Sequence, residues 1–341
     1  MKFNSKNRIV LMLTLVSGLV FTQCTDLEEE VLDEVLGGES LTPASTLAAA
    51  YDRLGDGTFV DNGGMLALQE YSTDVALLPT RGSDWGDGGK WRAMHEFTWT
   101  SSTPAVVDNW NRLSNGVTRS LTAINASSNS DDSEASLFLA ESKALLNFYL
   151  YQMLDLYGQA PYRDPLDLNA ELEVLHASEA IDVLIADIES LIPDLASLNT
   201  QSTHTGRFTK EAAYALLADM YLNRAVYKDR YNASSAFDFN EASLDAGKSD
   251  MDKVIEYSSL LINSGTFSLE SNYFQNFNIG NAGGSEHIFA VVQMVDQIRN
   301  GDNDLGYVCQ ARNQRQSPGN RGTNAACTTP EFFHSWDGNQ D

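Results

Sequence analysis

The sequence predicts a mainly α fold: a tetratricopeptide-like stack of helix pairs, with a loop-rich region and a few short strands. Three observations carry that prediction. Four long segments place apolar residues at three- and four-residue steps, the mark of helices buried along one face. These segments begin near residues 137, 178, 209 and 249, and a spacing of roughly 30 to 40 residues suits repeated helix pairs. Small residues and tyrosines fall where such helices would cross.

Taken in order, residues 1–23 read as a secretory signal rather than as fold. Lys2, Lys6 and Arg8 precede an apolar run from Ile9 to Phe21 that is too short to span a membrane. Cys24 follows directly, then "TDLEEE", an order that marks a bacterial lipoprotein cleaved before the cysteine and acylated on it. The residues before Cys24 lack the usual small side chain, so a plain secreted protein is the alternative. Residues 24–40 are an acidic tether, and 41–341 form the folded part.

Thr42-Pro43 and Thr103-Pro104 each place a capping hydroxyl before a proline at the first helical position. The spacing predicts helices over about 41–56 and 103–126, then a helical stack over 137–265. In the stack, Leu139, Leu146, Leu150, Met153 and Tyr157 share one stripe; Ile181, Leu184, Ile185, Ile188, Leu191 and Ile192 share another; Ala213, Leu216, Leu217, Met220 and Tyr221 a third. A fourth stripe runs through Val254, Ser258, Leu261 and Ile262. Gly158 and Pro161 end the first of these helices. Alternation from Ile288 to Val295 predicts a strand. Residues 57–102 and 270–341 read otherwise as loop.

Charge excludes some functions. The chain carries 22 basic and 47 acidic residues, a net charge of −25, so nothing in it would neutralise nucleic-acid phosphates or adhere to anionic lipid. With Cys24 assigned to lipid, Cys309 and Cys327 remain. They suit one disulfide in an oxidising compartment, with two free thiols as the alternative. No cofactor is expected. "GDNDLG" at 301–306 has some calcium-loop residues but not the full ligand series or the closing glutamate.

Three of five tryptophans, Trp85, Trp91 and Trp99, lie in "TRGSDWGDGGKWRAMHEFTWT", among glycines and charges rather than aliphatics. A sugar ring has an apolar C–H face and a rim of hydroxyls, and this stretch supplies partners for both. Trp85 and Trp91 would be stacking platforms, Asp84 and Asp87 acceptors, and Arg81 and Lys90 donors. Trp99 and Trp110 are expected in the core, and the direction of Trp336 is open. Each stack would contribute roughly 1–2 kcal/mol, giving an affinity of about millimolar to micromolar. Catalysis finds less support. Asp84, Asp87 and Glu96 are carboxylates among many, the five histidines are scattered, and no nucleophile elbow or phosphate loop occurs.

The order of segments resembles the SusD/RagB family of outer-membrane nutrient-binding lipoproteins. The carrying stretches are Cys24 with its acidic follow-on, "WNRLSNGVTRSLTAIN", "AESKALLNFYLYQMLDLYGQAP", "ASEAIDVLIADIESLIPDL", "TGRFTKEAAYALLADMYLNRA" and "GSEHIFAVV". The resemblance implies a helical stack overlaid by glycan-binding loops, anchored by lipid in the outer membrane. It further implies a partner, a TonB-dependent transporter of the SusC type, that receives the captured glycan. Family members continue beyond the point where this chain stops, so the C-terminal part of the domain is expected to be missing, leaving helix faces uncovered. The alternative is a lipoprotein adaptor that binds protein or peptide through its helical stack.

Overall fold

The computed structural model describes residues 41–167, 169–198, 206–229, 244–245, 247–278, 280–291, 305–308 and 322–337. The signal segment, Cys24, the tether, Cys309 and most of the calcium-like loop lie outside the described residues.

The chain opens with α1 (Pro43–Asp52), where the Thr42 hydroxyl accepts the Ser45 N–H at 3.2 Å and Ser45 returns the bond. The stretch predicted as loop holds three short helices, α2 (Gly57–Val60), α3 (Met65–Gln69) and α4 (Lys90–His95). Single helical turns have no periodicity to read, which is why the pattern missed them. Then come α5 (Pro104–Ser128) and α6 (Ala135–Tyr157), and an antiparallel hairpin, β1 (Gln159–Tyr162) with β2 (Glu173–His176). The stack continues through α7 (Ala177–Leu191), α8 (Lys210–Asp229) and α9 (Asp250–Ile262). Two further short helices are α10 (Leu305–Val308) and α11 (Pro330–His334), and 3-10 turns occur at Arg53–Gly55, Asp87–Gly89, Tyr273–Phe277 and Asn281–Gly283.

Each long helix packs on the next, α5 on α6, α6 on α7, α7 on α8 and α8 on α9, while α1 lies across α5 and α6. The first three predicted stripes are the core: Leu146, Leu150, Met153, Ile181, Leu184, Ile185, Ile188, Leu217, Met220 and Tyr221 are all buried. Burying each large aliphatic contributes about 1.5–3 kcal/mol. Gly116 sets the approach of α5 to α6, because a Cβ there would stand 2.6 Å from the Tyr149 ring.

Tyrosines tie the crossings with their hydroxyls. Tyr149 donates to the Ala50 carbonyl at 2.8 Å, Tyr151 to Asp219 at 2.7 Å, and Tyr257 to Glu189 at 2.6 Å. A buried polar knot joins α1 to α6 and to the start of α8. Tyr51 donates to Glu141 at 2.6 Å, accepts the Phe208 N–H at 2.7 Å, and Arg207 pairs with Glu141. Burial pushes the Glu141 carboxyl above its ordinary range, although Tyr51 and Arg207 both pull it down.

Two expectations fail here. Residues 288–291 are irregular, with Phe289 and Val291 packed on the core instead of paired in a sheet. The rest of the expected strand lies outside the described residues. In α9 the buried face is Asp250, Lys253 and Tyr257, while Ile262 is 77% exposed. Arg224 draws that polar face inward, pairing with Asp250 at 3.2 Å, as Glu189 does for Lys253 at 3.1 Å.

Candidate functional site

A second, smaller core lies under the tryptophan-rich stretch. Tyr71, Ala76, Leu78, Trp91 and Met94 pack there with Val308 and Ala325. Leu77 and Cys327 exchange backbone hydrogen bonds at 2.8 and 2.9 Å, which fixes the segment at 322–337 alongside this stretch. Cys327 lies in this segment, half-buried; Cys309, its expected disulfide partner, lies outside the described residues.

The predicted site residues divide into two groups. Arg81 exchanges backbone bonds with Asp84 at 3.0 Å, and its guanidinium donates to the carbonyls of Asn324 and Ala325. Trp85 is half-buried, its indole N–H donating to the Thr323 carbonyl at 3.0 Å. Arg81 and Trp85 hold the stretch onto the segment at 322–337. The second group closes on itself. Asp87 accepts the Trp91 indole N–H at 2.6 Å, and the Lys90 ammonium stands 4.4 Å above the Trp91 ring.

Trp91 as an open platform is therefore a correction. Its ring is only 5% exposed, edge-on to Tyr71 at 5.7 Å and 5.8 Å from Trp85. The sequence offers no aliphatic run here because the small core is built from rings and short side chains. Asp87 and Lys90 accordingly serve Trp91 first.

Trp99 is the opposite correction. Expected in the core, it is 39% exposed and forms a pair with Phe97, which is 66% exposed, at 5.3 Å between ring centroids. Neither the pairing nor its exposure has a signal in the sequence. Trp110 lies half-buried as expected, edge-on to Tyr157 at 5.0 Å. Trp336 is exposed beside Phe332 at the end of α11.

Backbone strain is concentrated in the same place. Four non-glycine residues have left-handed backbones among the described residues: Trp85 (φ 57°), Asp87 (φ 35°), Phe97 (φ 55°) and Asn324 (φ 54°). Such conformations cost about 1–3 kcal/mol each and persist only where surrounding contacts impose them. Between the two ends of the segment that carries Phe97 and Trp99 opens a cleft of about 240 Å³, lined by Asp61, Lys90, Trp91, Thr103, Asp108 and Arg112 among others. Arg112 stands 3.7 Å from Asp61 across it. Asp61, Asp108 and Arg112 could not be found from sequence, since each lies outside the glycine-rich stretch, Asp108 and Arg112 on α5 and Asp61 just after α2.

Chemically, the arrangement offers two exposed rings on the segment that joins two walls of a small cleft, and that cleft carries both carboxylates and cations. No group of His, Cys, Asp and Glu that could hold a metal occurs among the described residues.

No protein-family profile matches the chain, and no curated protein does. Solved structures do. A surface glycan-binding protein A from Bacteroides uniformis superposes with a TM-score of 0.63 at 17% identity, over 86% of this chain and 60% of that one. A SusD homolog from Bacteroides thetaiotaomicron gives 0.65 at 16% identity, over 86% and 55%. The surface glycan-binding protein A of Bacteroides thetaiotaomicron, solved with laminarihexaose, gives 0.62 at 18% identity, over 87% and 61%. The chain thus spans about three-fifths of the length of these structures, and over that span its fold is the SusD-like fold.

Proposed function

We propose that the protein is a non-catalytic, cell-surface glycan receptor: a lipoprotein, anchored in the outer membrane through Cys24, that captures oligo- or polysaccharide and delivers it to a SusC-type TonB-dependent transporter. One observation carries the binding step. A strained segment, pinned on both sides, holds Phe97 and Trp99 open to solvent beside a charged cleft. Strain kept at an exposed aromatic is hard to explain by stability and easy to explain by presentation of a ring. The likeness to glycan-binding proteins of this fold supports the same reading, and the signal-like segment before Cys24 supports export and anchoring.

Affinity electrophoresis against a polysaccharide panel, laminarin included, tests the binding step. Retardation by at least one glycan is expected, weakened about 5- to 30-fold by Trp99→Ala if the ring stack is worth 1–2 kcal/mol. Indifference to every glycan would sink this reading and leave the protein-binding adaptor. The anchor has a separate test: metabolic labelling with a radioactive fatty acid should mark the native chain and not Cys24→Ala.

A further inference from the structure

A pocket in the helical stack lies apart from the aromatic loop and shares no lining residue with the charged cleft. It forms where α5 and α6 meet the β1–β2 hairpin, and it has two lobes that share Leu146, Leu150 and Tyr162. The larger lobe, about 510 Å³, is walled by Trp110, Val117, Leu121, Pro161 and Leu172. Its two threonine hydroxyls are spent as donors, Thr118 on the Ser114 carbonyl and Thr122 on the Thr118 carbonyl, both at 3.0 Å. They present methyl groups and lone pairs.

The smaller lobe, about 180 Å³, is polar, with Lys143, Asn147, Asp187 and Ser190 in its wall. Asn147 is 3% exposed; its amide donates to the Lys143 carbonyl at 2.9 Å, while its Oδ1 has no partner among the described residues. Ser190 spends its hydroxyl on the Asp187 carbonyl at 2.7 Å. Burial holds the Asp187 carboxyl above its ordinary range, with the nearby Lys143 cation opposing. The smaller lobe thus offers two acceptors, Asn147 Oδ1 and the Asp187 carboxylate, beside the Lys143 cation and the Tyr162 ring shared with the larger lobe, whose own wall carries Arg163.

Buried acceptors are normally met by a donor, and pockets of several hundred Å³ with an apolar wall and a few polar groups are the usual form of small-molecule sites. A head with negative charge would face Asp187, and one with positive charge would face Lys143. We propose that this pocket binds a small neutral amphiphile: an apolar chain or ring in the larger lobe, and a head bearing hydroxyl or amide donors in the smaller one, donating to Asn147 Oδ1. The site is independent of the glycan surface.

Isothermal titration of the full chain with octyl glucoside, kept below its micelle concentration, tests it. Saturable one-site binding is expected, absent for glucose alone and for octyl sulfate. Asn147→Leu should weaken binding about tenfold by removing the acceptor, and Leu121→Trp, which fills the larger lobe, should abolish it. Leu121 is only partly buried, so that variant decides the matter if Asn147→Leu fails to fold. Trp99→Ala should leave binding unchanged. The proposal is overturned by no saturable binding, by equal affinity for octyl sulfate, or by binding that survives Leu121→Trp; loss on Trp99→Ala alone would reassign the site to the aromatic loop.

Discussion

Phe97 holds a left-handed backbone, φ 55°, on a segment where its ring is 66% exposed. An L side chain of that bulk pays roughly 1–2 kcal/mol there, and little packing is returned beyond the contact with Trp99. Asparagine tolerates the same φ more readily. Phe97→Asn is therefore expected to raise the midpoint of thermal unfolding by an amount equivalent to about 0.5–1 kcal/mol, while weakening retention on glycan gels. Calorimetry and affinity electrophoresis read the two effects separately; a variant both less stable and equally retained would remove the case for presentation. The sequence shows the ingredients of this surface, because three tryptophans among glycines do not build an ordinary core. It does not show which ring faces out. Trp91 is covered because Tyr71 and the 322–337 segment, distant in sequence, close over it.

At the scale of elements, periodicity is a reliable guide where a helix is long and apolar on one face. The helices α5 to α8 begin and end close to the predicted positions, and Thr209 caps α8 with a 3.3 Å bond to the Ala212 N–H. Where an element is one turn long, or where alternation spans only a few residues, the pattern has nothing to discriminate, and the described part of the expected strand, 288–291, is irregular. Helix α9 departs from its pattern for another reason. Its inward face is charged, made so by Arg224 and Glu189 on α8 and α7, and no periodicity of apolar residues can reveal a face satisfied by ion pairs. The closest helix contact is testable through Gly116, with Tyr149 where a Cβ would stand. That ring is buried and fixed by its bond to Ala50, so it has little room to yield. Gly116→Ala should destabilise by about 1–3 kcal/mol, despite the better intrinsic helix propensity of alanine. Urea unfolding would show it as a lower midpoint with an unchanged slope; a gain in stability would mean that α5 and α6 are not held at this spacing.

At the scale of the whole molecule, the net charge of −25 is legible from composition, whereas the burial of a few of its carboxylates is not. Glu141, Asp187 and Asp250 all have carboxyls raised by burial, against their cationic neighbours. A raised carboxyl keeps its proton in the folded state at a pH where the unfolded chain has released it. Stability then falls as pH rises, from the ordinary values of 3.8 and 4.5 up through the folded-state values. Mutual repulsion of the acidic surface acts in the same direction. The lowered carboxyls of Asp252, which is exposed, and of Glu270 and Glu286, which are half-buried, act oppositely and matter only towards the acid end. The melting temperature should therefore rise as pH is lowered through the folded-state values towards the ordinary carboxyl range, before falling in stronger acid. Salt separates the two causes. Surface repulsion is screened within about 8 Å at physiological ionic strength, and the desolvation of Glu141 is not. Repeating the series in high salt should leave a residual slope, and Glu141→Gln should flatten it further. A melting temperature that climbs with pH throughout would show that the knot of Tyr51, Glu141 and Arg207 stabilises the ionised carboxylate more than burial penalises it.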